Sequence, residues 1–117
     1  MFKYFFLFFF KIFFISCTNN ISDSDESINV DCSVVENYYN ETIAPIMAQS
    51  CNGCHSGNSP SGAIKTNNYN DVRNGIENII NRVQRDQNSS GFMPLGGEKL
   101  SNENLSVLDV FLNMECE

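Results

Sequence analysis

A chain of 117 residues makes one domain of ordinary size and leaves no room for a second. Its net charge of −7 and pI near 4.5 exclude the basic footprint that nucleic-acid binding requires. Five cysteines in so short a chain point to an oxidising compartment rather than the cytosol.

Residues 1–15 are dominated by Phe, Leu and Ile, with Lys3 near the start. The run falls short of the roughly 20 apolar residues of a membrane span and is interrupted by Lys11. Residues 1–16 therefore read as a secretory signal peptide. The tetrapeptide Phe14-Ile15-Ser16-Cys17 resembles the lipobox of bacterial lipoproteins, in which a small residue precedes the cysteine that is lipidated. That resemblance implies a lipid on Cys17 and attachment to a membrane. The other readings are an ordinary cleaved signal, with Cys17 lost or free, and a retained N-terminal anchor helix. Residues 17–32 follow with Asp23, Asp25, Glu26 and Asp31 and no basic residue. So little apolar surface predicts a flexible, self-repelling acidic tether that takes no part in the fold. The folded domain is expected over residues 33–117.

Within residues 40–50, Ile43, Ile46 and Met47 fall at i, i+3 and i+4, one face of a helix. Asn40 or Thr42 is placed to cap it, and Pro45 is tolerated only in or near its first turn, or with a kink. Tyr38 and Tyr39 precede this helix and are expected to pack on it. The helix feeds straight into Cys51-Asn52-Gly53-Cys54-His55. Two cysteines three apart with histidine next is the spacing of covalent haem attachment. Two thiols one turn apart can each add to a vinyl group, and the adjoining imidazole is brought under the ring to reach the iron. His55 is the only histidine in the chain. Structural zinc would want four Cys or His ligands, whereas Cys17, Cys32 and Cys116 are single and scattered. A dithiol redox site would want a surrounding βαβ pattern, and no alternating apolar strand is visible anywhere.

Residues 56–62 read as a loop through Gly57, Pro60 and Gly62. Residues 67–74 are expected to form a short helix stopped by Gly75. Ile76, Ile79, Ile80 and Val83 give the clearest amphipathic pattern in the chain. Arg82 and Arg85 lie among them, read either as a solvated helix face or as partners of haem carboxylates. Residues 87–98 carry no periodicity but hold Gly91, Pro94, Gly96 and Gly97, a loop long enough to be functional. Ser101 then reads as an N-cap with Leu100 and Leu105 as a hydrophobic staple. Leu105, Leu108, Phe111 and Leu112 form the buried stripe of a closing helix.

Iron bound by His55 has a second axial position, and composition excludes a second histidine from this chain. Met47 lies one turn before Cys51 and is tied to the histidine side. Met114, near the end of the closing helix, reads as core filler. Met93, in the Gly- and Pro-rich loop Phe92-Met93-Pro94, has room to cross to the opposite face. It is the expected sixth ligand, given the Met/His ligation of cytochromes c.

The chain resembles small bacterial class I cytochromes c. The stretches that carry the resemblance are Ile43-Ala44-Pro45-Ile46 before Cys51-Asn52-Gly53-Cys54-His55, then Phe92-Met93-Pro94-Leu95-Gly96-Gly97, then Leu100-Ser101. It implies an all-α fold of three to four short helices wrapped round one covalent haem c. Cys51 and Cys54 would be the thioether sites, with His55 and Met93 the axial iron ligands. It implies single-electron carriage between redox proteins rather than catalysis, by a monomer lipid-anchored in the cell envelope, on the periplasmic side or outer surface. In this kind of fold the first and last helices pack together, so Cys32 and Cys116 can form a disulfide, favoured by an oxidising envelope; the alternative is two free thiols. Closing a loop of roughly 85 residues would stabilise by about 4–5 kcal/mol in the chain-entropy model. Partners are expected to dock transiently through small interfaces. Ten acidic against five basic side chains over residues 33–117 suggest positive patches on them. The runner-up is a haem-based sensor or peroxidase-like protein with an open sixth position, and a third reading is a haem-free module with zinc or a disulfide at Cys51 and Cys54.

Overall fold

The Asp31 carboxylate starts the first helix by accepting the Ser33 N–H at 2.8 Å, one of the donors that a helix N-terminus leaves unpaired. The computed structural model describes residues 28–116. The signal segment, the lipidation candidate Cys17 and most of the tether lie outside them. The helical rod from Cys32 to Ser50 has three parts: α1 (Cys32–Tyr38), a single π-helical turn (Tyr39–Ile43) and α2 (Ala44–Ser50). The expectation of a cap at Asn40 or Thr42 is therefore corrected, and Tyr38 and Tyr39 belong to the helix. Pro45 explains the π turn. Inside an α-helix its ring would press on the carbonyl four residues back. Widening the turn just before it, with Ala44 N–H bonded to the Tyr39 carbonyl, lets the rod continue.

α3 (Asn52–His55) follows at once, then a 3₁₀ turn at Ser61–Ala63. α4 (Tyr69–Val83) is one uninterrupted helix, capped by Asn68, whose side chain accepts the Asp71 N–H at 2.9 Å. Gly75 does not stop it. Gly inside a helix costs about 1 kcal/mol relative to Ala, and burial of Val72, Ile76, Ile79, Ile80 and Val83 along one face outweighs that. α5 (Asn102–Asn113) begins where Ser101 accepts the Asn104 N–H at 3.1 Å, with Leu100 buried in front of it.

The core joins Val35, Tyr39, Ile43, Ile46 and Met47 of the first rod to the α4 stripe and to Leu108 and Phe111 of α5. Burying a side chain of this size is worth roughly 1.5–3 kcal/mol. Phe111 is wholly buried and meets Tyr39 and Tyr69 at ring-centroid distances of 6.0 and 6.3 Å. Arg73 of α4 lies 5.2 Å from the Phe111 ring centre. Its guanidinium donates to the carbonyls of Phe111, Leu112 and Met114, satisfying acceptors that the end of α5 would leave unpaired.

The described chain is mostly helical, with one addition that sequence periodicity did not indicate. Two three-residue strands, β1 (Ile28–Val30) and β2 (Met114–Cys116), pair in parallel, Ile28 opposite Met114 and Val30 opposite Cys116. The fold thus begins before residue 33, and the last residues of the expected tether belong to it. Beside this pair Cys32 and Cys116 are joined as a disulfide, their Cα atoms 4.6 Å apart. Among the described residues no helix is long and apolar enough to cross a membrane.

Candidate functional site

The site is built where the first rod ends. Cys51 leaves helical geometry at φ −125°, which turns the chain into α3. Its carbonyl accepts both the Cys54 N–H at 3.1 Å and the His55 N–H at 2.9 Å. Cys51, Cys54 and His55 thereby share one tight turn. Cys51 and His55 are half-buried and Cys54 is exposed; both thiols are free.

The segment after α3 folds back and fixes the histidine. His55 Nδ1 lies 3.2 Å from the Ile64 carbonyl oxygen. A carbonyl can only accept, so this contact makes Nδ1 the protonated nitrogen and leaves the lone pair on Nε2. Thr66, buried at 3 % exposure, holds the returning strand of chain in place. Its N–H donates to the His55 carbonyl at 2.9 Å and its hydroxyl to Asn52 Oδ1 at 2.8 Å. Neither Ile64 nor Thr66 was identified from sequence. A backbone acceptor leaves no mark in the residue type, and a threonine after a Gly-rich loop reads as surface.

Met93 approaches from the segment between α4 and α5. Phe92 beside it is buried and anchors this segment in the interior. Met93 N–H donates to the Arg82 carbonyl at 3.2 Å, Arg82 donates to the Gly91 carbonyl at 3.3 Å and Arg85 to the Ser90 carbonyl at 2.8 Å. Arg82 is exposed, as a solvated helix face would have it, and Arg85 is half-buried; both also donate to the loop that carries Met93.

Two adjoining cavities of about 250 Å³ each lie between these parts. Cys51, His55, Val83 and Met93 line both. The first also takes in Cys54, Pro94, Leu95 and Leu100, the second Ile64, Ile79 and Arg82. The structure therefore brings all four sequence-predicted ligand residues to one place, an imidazole and a thioether lining the same apolar space with two thiols one turn apart at its edge. Met47 is fully buried in the core, and Met114 is buried in β2.

Burial pushes the Cys51 thiol up to about 11, because the interior penalises the thiolate. A dithiol redox centre or a thiolate metal site needs the opposite shift. Among the described residues no cluster of three or more His, Cys, Asp or Glu side chains is placed to hold a metal ion. Comparison of the chain with protein-family models, with curated proteins and with solved structures found no match.

Proposed function

We propose that this chain is a monohaem c-type cytochrome that carries single electrons between redox proteins in the bacterial cell envelope, anchored by a lipid on Cys17. The observation that carries the reading is His55, whose Nδ1–H is held by the Ile64 carbonyl at 3.2 Å while the ring lines a cavity shared with Met93. An imidazole that ligates iron does so through one nitrogen and is oriented by a hydrogen bond from the other. The donor set supports a c-type haem: one imidazole, one thioether and two thiols a helical turn apart, against apolar walls of Val83, Leu100 and Ile79.

When bound there, the haem supplies one-electron Fe(III)/Fe(II) chemistry. The chain's own residues do the rest. Cys51 and Cys54 would hold the group covalently, so that it would survive unfolding. His55 is kept in one tautomer and one orientation by Ile64 and Thr66. Met93, on a loop tied to α4, would supply a thioether ligand to the iron. The apolar part of the lining, with a thioether ligand, would favour the reduced state. Leu95, 86 % exposed at the cavity edge, and the exposed Cys54 mark where a redox partner would come closest.

The visible spectrum of the mature protein, made in cells able to attach haem c, tests this. Haem that resists denaturation, a low-spin reduced spectrum and the weak far-red band of Met-ligated ferric haem are expected, the band vanishing in Met93→Ala. A high-spin, carbon-monoxide-reactive spectrum would move the function to sensing or peroxidase-like chemistry. No bound haem would reject both.

A further inference from the structure

We propose that Arg85, together with Arg82, is a positioning residue for Met93, acting through the backbone of the loop that carries it; this rests on the reading of Met93 as an iron ligand. Arg85 is half-buried beyond the end of α4. Its Nε donates to the Asn81 carbonyl at 3.2 Å and one terminal nitrogen to Asn81 Oδ1 at 2.7 Å. Those two bonds fix the plane of the guanidinium and aim its other terminal nitrogen at the Ser90 carbonyl, 2.8 Å away. Arg82 faces the next carbonyl, donating to Gly91 at 3.3 Å, while its own carbonyl accepts the Met93 N–H at 3.2 Å. Ser90, Gly91 and Met93 are thus all held against one end of one helix.

Gly91 makes the approach possible. It sits at φ +77°, and a Cβ there would run into both guanidinium groups. A side chain at this position would push both flexible guanidinium groups aside, and the positive φ is a conformation that glycine adopts without strain. The forked guanidinium suits this task, since its donors are rigidly spaced and stay charged. The function follows from the weakness of the ligand. A thioether is a neutral donor, and a loop free to wander would surrender the iron to a competitor. Holding the loop before the ligand binds removes that ordering cost from the iron–sulfur contact.

The test is a titration of the ferric, haem-loaded protein with imidazole, following the shift of the main Soret absorption, with loss of the far-red band beside it wherever Met93 is present. Arg85→Gln removes the fork and its charge. Imidazole is expected to bind roughly tenfold more tightly, the equivalent of one charge-assisted hydrogen bond. Arg85→Lys, which keeps charge but cannot make the three-way contact, is expected in between. In a Met93→Ala background the effect of Arg85→Gln should disappear, since the loop no longer supplies a ligand. If Arg85→Gln does not take up haem, the lysine variant carries the same comparison. Unchanged imidazole affinity with the parent band intact overturns the inference and leaves the electron-carrier reading standing. An effect that persists undiminished without Met93 also overturns it, because Arg85 would then act elsewhere. A parent protein with no Met-ligated band overturns the functional reading, and the inference with it.

Discussion

What a side chain can do in this site is set by the atom it is bonded to. His55 was singled out from the residues because the Cys-x-x-Cys-His spacing has few other uses. The partner that orients it was not, since Ile64 contributes only a carbonyl and Thr66 only a hydroxyl and an amide. The Thr66 contribution is measurable. Thr66→Val keeps the shape and removes the donor to half-buried Asn52, at an expected loss of about 1 kcal/mol. Urea unfolding of the haem-loaded protein should report a lower midpoint at unchanged m; an unmoved midpoint would mean that water replaces the bond without loss. Cys51 carries a pH prediction. Its thiol is raised from 9.0 to about 11 by burial, so the folded chain before haem attachment should keep Cys51 protonated through the pH range where an unfolded thiol ionises. Alkylation at Cys51, resolved by mass spectrometry, is expected to rise to half its limit near pH 11. Half-maximal reaction near pH 9 or below would instead indicate an open, reactive thiol and revive the dithiol reading.

At the level of helices, periodicity located the buried stripes and misjudged the ends. The α4 stripe emerged where the i, i+3, i+4 pattern placed it, whereas in α5 Leu108 and Phe111 are buried and Leu105 and Leu112 only half-buried. Gly75 was read as marking an end because its local preference is strong. It lies inside continuous helical backbone, where burial on either side outweighs about 1 kcal/mol; Pro45 does sit in the first turn of α2, with a π turn before it. The two glycines of this region should respond oppositely to alanine. At Gly75 the added Cβ would lie 3.9 Å from Ile79 Cδ1, ordinary contact, on backbone that is already helical. Gly75→Ala should therefore stabilise by about 1 kcal/mol through helix propensity and a less disordered unfolded chain. At Gly91 the same change meets two guanidinium groups at positive φ and should destabilise. Thermal unfolding of the two variants beside the parent decides it, and shifts of the same sign would contradict the argument.

On the scale of the whole molecule the helical character was legible, and the closure of its two ends was only partly so. A three-residue strand is too short to show alternation, and acidic composition concealed that residues 28–30 have a partner. The two ends of the described segment are thus held together twice, by the parallel pair β1–β2 and by the Cys32–Cys116 disulfide across a sequence separation of 84. None of the residues lining the two cavities comes from these strands or from α1. Stability and ligation should therefore separate. Replacing both Cys32 and Cys116 with serine releases a long closed loop, and about 2–4 kcal/mol of stability is expected to go with it, most of it through the unfolded state. The far-red band and the reduced spectrum should stay as in the parent, because His55 and Met93 are fixed by α3, α4 and the segment between α4 and α5. Urea unfolding and absorption on one sample test both halves. Equal unfolding midpoints with and without the cysteines would show that the bridge constrains nothing that the core does not already hold. A lost far-red band would show that the two ends of the molecule help to position the ligands after all.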